Sequence, residues 1–150
     1  MGSRFKIVRR STDRLEIELS GELSENTVRA CETEVRAQLS AAREAALKAT
    51  IDLRGVTGYT LEARASLVAL QRFVGTKATQ TAFLAVTAAS RGLALWVMHM
   101  SENQVIKSFA DGEDAAAWLG GSVGPTTGVR PVRRTGERKT PSSQRNKIAG

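Results

Sequence analysis

Apolar residues recur along the first 120 positions in two alternating rhythms. Leu15, Ile17 and Leu19 alternate with Glu16 and Glu18, the two-residue period of a strand with one wet side. Phe5 to Arg9 reads as a strand just before it, and the "STD" at 11–13 joins the two as an antiparallel hairpin. The period then lengthens. Val28, Cys31, Val35, Leu39 and Ala42 fall on one helical face behind Ser24, a favourable N-cap, while Glu25/Arg29 and Glu32/Arg36 are spaced for ion pairs on the outer face. Ala49 to Leu53 reads as a short buried strand, and Ala63, Leu67, Leu70 and Val74 mark the buried stripe of the next helix. Strand, helix, strand, helix follow at 81–87, 90–100, 104–109 and 111–119, the last opened by Asp111 with Asp114 in its first turn. The order is ββαβαβαβα. It predicts an α/β fold with a single, mostly parallel sheet, an N-terminal antiparallel hairpin at one side, and about four helices reached by right-handed crossovers.

The net charge of +7 suggests nucleic acid only until it is divided along the chain. Arg130, Arg133, Arg134, Arg138, Lys139, Arg145 and Lys147 face one acid, Glu137, beyond residue 121, so nearly all of the excess sits there and the first 121 residues carry +1. All three prolines, Pro125, Pro131 and Pro141, fall in the same stretch, whose few aliphatics are scattered among Gly, Ser, Thr and Arg. We therefore expect a folded domain at 1–120 and a disordered basic tail at 121–150. With one cysteine, no disulfide can close within the chain, and no leader-like run opens it, so a cytoplasmic location is expected.

Catalytic chemistry is thinly supplied. His99, the sole histidine, sits among Trp96, Val97, Met98 and Met100 in an apolar helix, with no motif nominating a nucleophile beside it. Cys31 lies on a buried stripe and reads as a small core residue. Trp96, Met98 and Met100 read as core packing. One Cys and one His make no zinc set, the carboxylates spread over solvent faces, and the "GGSVGPTTG" run follows a helix instead of linking strand to helix, so it cradles no phosphate. Neither an enzyme, nor a metal, nor a cofactor is expected.

Attention falls on the segment "IDLRGVTGYTLEARASLVALQRFV", residues 51–74. It resembles the STAS domain of bacterial anti-sigma-factor antagonists, in which a strand ending Asp-Leu-x-x-Val leads through a short loop into a helix that starts with a phosphorylatable serine. Asp52, Leu53, Gly55 and Val56 match that lead-in, and "IKSFADGEDAAAWL" at 106–119 resembles the domain's closing strand and helix. The resemblance covers residues 5–119. It implies a non-catalytic protein-interaction module of a bacterial signalling complex, with a regulatory kinase, an anti-sigma-like factor or a larger assembly as partner. It also departs from the pattern: where the family shows an Asp-Ser-Ser-Gly type of start, this chain has Thr60, Leu61, Glu62 and Ala63, which puts Glu62 at the serine position.

A helix start favours negative charge, because its first N–H groups point outward unpaired. Glu62 is then either an ordinary first-turn acid behind an N-cap at Thr60, or a permanent stand-in for the phosphorylated state that selects a basic partner surface. Thr57 and Thr60 are the remaining candidate phosphoacceptors. Gly58 is expected to relieve a tight backbone there and Tyr59 to offer an aromatic handle, so the candidate partner-binding corner is Thr57, Gly58, Tyr59, Thr60, Leu61, Glu62 and Arg64, extended along the helix by Gln71 and Arg72. Two other functions stay open. The tail could bind nucleic acid or an anionic membrane through counterion release, or a small ligand or lipid could occupy a cavity between sheet and helices. The chain could also form a homo-oligomer.

Overall fold

Strand β1 (Ser3–Ser11) turns back through Thr12 and Asp13 into β2 (Arg14–Leu23), as the alternating pattern predicts. The turn is held by its own side chains. Ser11 Oγ donates to Asp13 Oδ1 at 2.6 Å, which holds that carboxyl below its ordinary range, and Arg9 caps the carbonyls of Ser11 and Thr12. Helix α1 (Glu25–Ser40) follows, then β3 (Leu47–Tyr59), α2 (Leu61–Lys77), β4 (Ala78–Leu84), α3 (Ala88–Met100), β5 (Ile106–Phe109) and α4 (Gly112–Trp118). The computed structural model describes residues 2–40 and 47–120, of which those up to Ala115 form one compact unit. The basic tail and Ala42 lie outside the described residues. No described helix is long and apolar enough to cross a membrane.

The five strands lie in the order β1-β2-β3-β4-β5, antiparallel between the first two and parallel elsewhere. Each parallel step moves one strand over in the same direction. Crossovers of one hand therefore put α1, α2 and α3 on the same side of the sheet. The buried side chains follow: Leu15, Ile17 and Leu19 of β2, Ala49, Ile51 and Leu53 of β3, and Phe83 of β4 meet Val28, Cys31, Val35 and Leu39 of α1, Leu67, Leu70 and Val74 of α2, and Leu93 and Val97 of α3 in one core. These side chains occupy the space between sheet and helices. On the other face, Glu18 stands opposite Lys6 and Asp52, and Glu16 takes an ion pair from Arg10 at 3.0 Å, so the hairpin has a wet side as its sequence says.

Caps set the helix starts. Ser24 Oγ accepts from Thr27 N, and Asp111 Oδ1 accepts from Glu113 N at 2.9 Å, both as predicted. Helix α3 starts two residues earlier than its apolar pattern suggests, because Thr87 and Ser90 form a reciprocal capping box. The structure also corrects the expectation that Trp96, Met98 and Met100 pack in the core. The stripe facing the core is Ser90, Leu93, Ala94 and Val97, which leaves Trp96 37% and Met100 36% exposed and Met98 half-buried.

Candidate functional site

The sequence suggests a short loop between Leu53 and the second helix. The structure instead carries β3 on to Tyr59 and leaves Thr60 alone between strand and helix. Strand β2 also runs long, so Ser20, Gly21, Glu22 and Leu23 stay paired with Gly55, Val56, Gly58 and Tyr59. Two register shifts, between Glu18 and Ser20 and between Gly21 and Glu22, each place an extra residue in β3. An extra residue reverses which positions face inward. Ile51 and Leu53 are accordingly buried at odd positions and Val56 at an even one, while Thr57 turns outward and Tyr59 is half-buried against the core.

The close approach in this corner is at Gly55, not at Gly58. A Cβ on Gly55 would stand 2.9 Å from Ser20 Cβ, whereas one on Gly58 would meet the Glu22 side chain at an ordinary 3.5 Å. Asp52, the last residue paired before the first shift, is occupied locally. Its carboxylate accepts from the backbone N, the Nε and the Nη2 of Arg54 at 2.9, 3.0 and 2.9 Å. That hydrogen bonding is the main reason the guanidinium's pKa lies above its ordinary value.

Thr60 is the N-cap. Its Oγ1 accepts from Ala63 N at 3.0 Å, its carbonyl accepts from Arg64 N at 3.0 Å, and its own N–H donates to Leu23 O at 3.3 Å, so this one residue ties helix to strand. Thr60→Ala is expected to cost about 1 kcal/mol, read as a lower urea midpoint at unchanged slope. Glu62 follows in the first turn, exposed, where an acid contributes ~0.3–1 kcal/mol through the helix dipole. Leu61 beside it is 66% exposed. The carboxylate therefore points to solvent at the carboxyl edge of the sheet, the edge where α/β folds present their binding residues.

The structure brings Thr57, Thr60, Leu61 and Glu62 to the surface together and leaves Gly58 and Tyr59 half-covered behind them. Arg64 turns away along the helix, its guanidinium 4.0 Å above the Trp96 ring. Gln71 does not belong to this surface. It is fully buried, its Nε2 donating to Thr81 Oγ1 at 3.3 Å and to Gln104 Oε1 at 3.1 Å, so it braces α2 against β4 and the segment before β5. Arg72 is exposed and reaches α3, where Nη2 donates to Met100 O at 2.9 Å. Among the described residues no group of three or more His, Cys, Asp or Glu could hold a metal ion.

A search of curated protein sequences returned no match. Solved structures do match. One is an uncharacterised protein of the DUF3478 family with a SpoIIAA-like fold from Shewanella loihica PV-4, 20% identical, with a TM-score of 0.60 over 79% of this chain and 94% of that one. Another is the anti-sigma factor antagonist SpoIIAA in its unphosphorylated form, 14% identical, with a TM-score of 0.57 over 78% of this chain and 98% of that one. At these identities the likeness shows the fold: a small mixed sheet with helices alternating along it. A sequence model of the SpoIIAA-like family matches residues 14–120, from the start of β2 to the end of the described residues, and the chain accordingly belongs to the SpoIIAA-like family.

Proposed function

We propose that this regulatory STAS-type domain works as a non-catalytic docking module of a bacterial signalling complex, and that its partner reads the corner formed by Thr57, Thr60, Leu61 and Glu62. The observation that carries this reading is the exposed Glu62 in the first turn of α2. A phosphoserine at that point would bring about two negative charges that come and go; Glu62 brings one that stays. The helix start favours either, and the Thr60 cap leaves the carboxylate free of local bonds among the described residues. The corner is thus held in a constitutively anionic state, suited to a basic patch on a partner protein. Thr57 and Thr60 lie close enough to add a regulated second charge.

Binding compared across the full-length protein, Glu62→Ser and Glu62→Lys tests the proposal. Partners recovered from the native cells and quantified by mass spectrometry should weaken with Glu62→Ser. They should fall at least about tenfold with Glu62→Lys, because like charges brought together at an interface cost several kcal/mol. Thermal midpoints should stay close, since the side chain is exposed. Equal recovery by all three proteins would make Glu62 a helix-start acid and nothing more.

A further inference from the structure

We infer that the outer surface shared by α2 and α3 is a second docking surface, and that its occupant is an acidic amphipathic helix of a partner protein. Four apolar side chains stand out of the fold there: Leu61 66%, Leu95 62%, Trp96 37% and Met100 36% exposed. On α3 the exposed three lie away from the stripe that meets the core. On α2, Leu61 and Arg64 are one turn apart and share a face, with Arg72 two turns further on. Arg72 bonds Met100 O through Nε at 3.3 Å and Nη2 at 2.9 Å, which fixes the two helices side by side.

The occupant's charge follows from the cations. The Arg64 guanidinium carbon stands 4.0 Å from the centroid of the Trp96 ring, a cation–π contact that holds a cation at this surface without neutralising its charge. Among the described residues Arg64 has no carboxylate in ion-pair distance. The neighbouring acids stand elsewhere. Glu62 is about 200° around α2 from Arg64 and faces the opposite shoulder, and Glu102 comes after the end of α3. A second copy of this chain would bring the same cations to the same patch, so self-association is disfavoured. An anionic membrane surface would hold the same Arg–Trp pair at its headgroup level, and vesicle binding is therefore an outcome of the test. Apolar anchors around an Arg–Trp pair match what a helix bearing Leu on one face and Glu or Asp beside it would need.

This rests on the reading of the chain as an interaction module, but its test does not pass through Glu62. A displayed library of random helical peptides is selected on the full-length protein, with counter-selection on a full-length Leu95→Glu/Trp96→Ala variant so that ligands of the basic tail are discarded. The expected survivors are acidic, with apolar residues at helical spacing, and bind Trp96→Ala about thirtyfold more weakly or worse. Leu95 is 62% exposed, so Leu95→Glu and Leu95→Lys both fold and lose the same apolar contact. An acidic ligand should nevertheless bind the Lys variant about tenfold more tightly than the Glu variant. Survivors without acidic bias, an equal loss in both Leu95 variants, or no survivors would overturn the proposal. So would a dimer dissolved by Leu95→Glu, or binding to phosphatidylglycerol vesicles that Trp96→Ala abolishes. Glu62→Lys should bind the survivors as the native chain does, so the corner and this surface can fail separately.

Discussion

Phe83→Ala is expected to lower the unfolding free energy by about 3–5 kcal/mol, the largest loss from any single truncation in this core. Phe83 sits in β4 between Ile51 of β3 and Ser108 of β5 and has no exposed surface. It points to the side of the sheet that α2 and α3 cover, where Leu67, Leu70, Leu93 and Val97 are also fully buried. The strands on both sides of β4 are fixed by backbone ladders, so the space left by the ring cannot close by strand movement, and a cavity term adds to the lost burial. Domains of this size are stable by only about 5–15 kcal/mol, so the variant forfeits about a fifth or more of its margin. Urea unfolding should show a lower midpoint at unchanged slope. Phe73 gives the contrast. It lies half-buried at the helix surface under the Arg36 guanidinium, 4.3 Å from its centroid, and its truncation should cost less. A loss below ~1 kcal/mol at Phe83 would contradict the packing described here.

A sheet covered on one side by α1 to α3 explains why the candidate surfaces are where they are. Every parallel strand ends at the same edge, and every following helix starts there, so the Thr60 cap and the Thr87–Ser90 box stand at one end of the molecule. The helices that bury the core then expose their own backs, and the Arg64–Trp96 stack lies on two of them. The opposite end of the sheet order is defended instead of offered. Arg4, Lys6 and Arg10 are exposed on edge strand β1, where charge discourages another strand from pairing.

The element order, the hairpin and the Ser24, Thr60 and Asp111 caps were all legible in the sequence, because each rests on local physics: a period of two or 3.6, or an oxygen placed two or three residues before an N–H. What was not legible is non-local. The extension of β3 to Tyr59 depends on β2 also running to Leu23 and on two shifts between them, and nothing in "RGVTGY" reports the length of its neighbour. Gly55 rather than Gly58 is the tight position for the same reason, since the contact is with Ser20 on another strand. Gln71 looks like a surface residue by type. It is buried because Thr81 and Gln104, 10 and 33 residues away, supply its partners. The outward turn of Trp96 had a readable signal. Leu93, Ala94 and Val97 already complete an inward stripe, and Thr87 with Ser90 is a capping pair that fixes where α3 begins. Both were overshadowed by the general apolarity of residues 93–100.

Stability should fall as pH rises from about 9 toward 12, and Cys31 should be a principal cause. The thiol lies on the buried stripe of α1 with no exposed surface, and burial, reinforced by the charges of Glu32 and Glu34, pushes its pKa from 9.0 up to about 12. In the unfolded chain the same group ionises near its ordinary value. Between those two pH values the folded state therefore binds more protons than the unfolded one, so each added pH unit lowers the unfolding free energy by ~1.4 kcal/mol. The stabilisation is complete below about pH 9, and its full loss by about pH 12 amounts to about 4 kcal/mol. The informative quantity is the difference between the native chain and Cys31→Ala, which isolates the thiol. Cys31→Ala starts less stable, because it leaves a small cavity, but it lacks this slope, and the two curves should converge as pH rises. Parallel curves would mean that the folded thiol ionises as readily as the unfolded one. The same burial makes Cys31 a poor nucleophile, since the thiolate is the reacting species. Iodoacetamide at neutral pH should therefore alkylate the native chain only at the rate at which it unfolds.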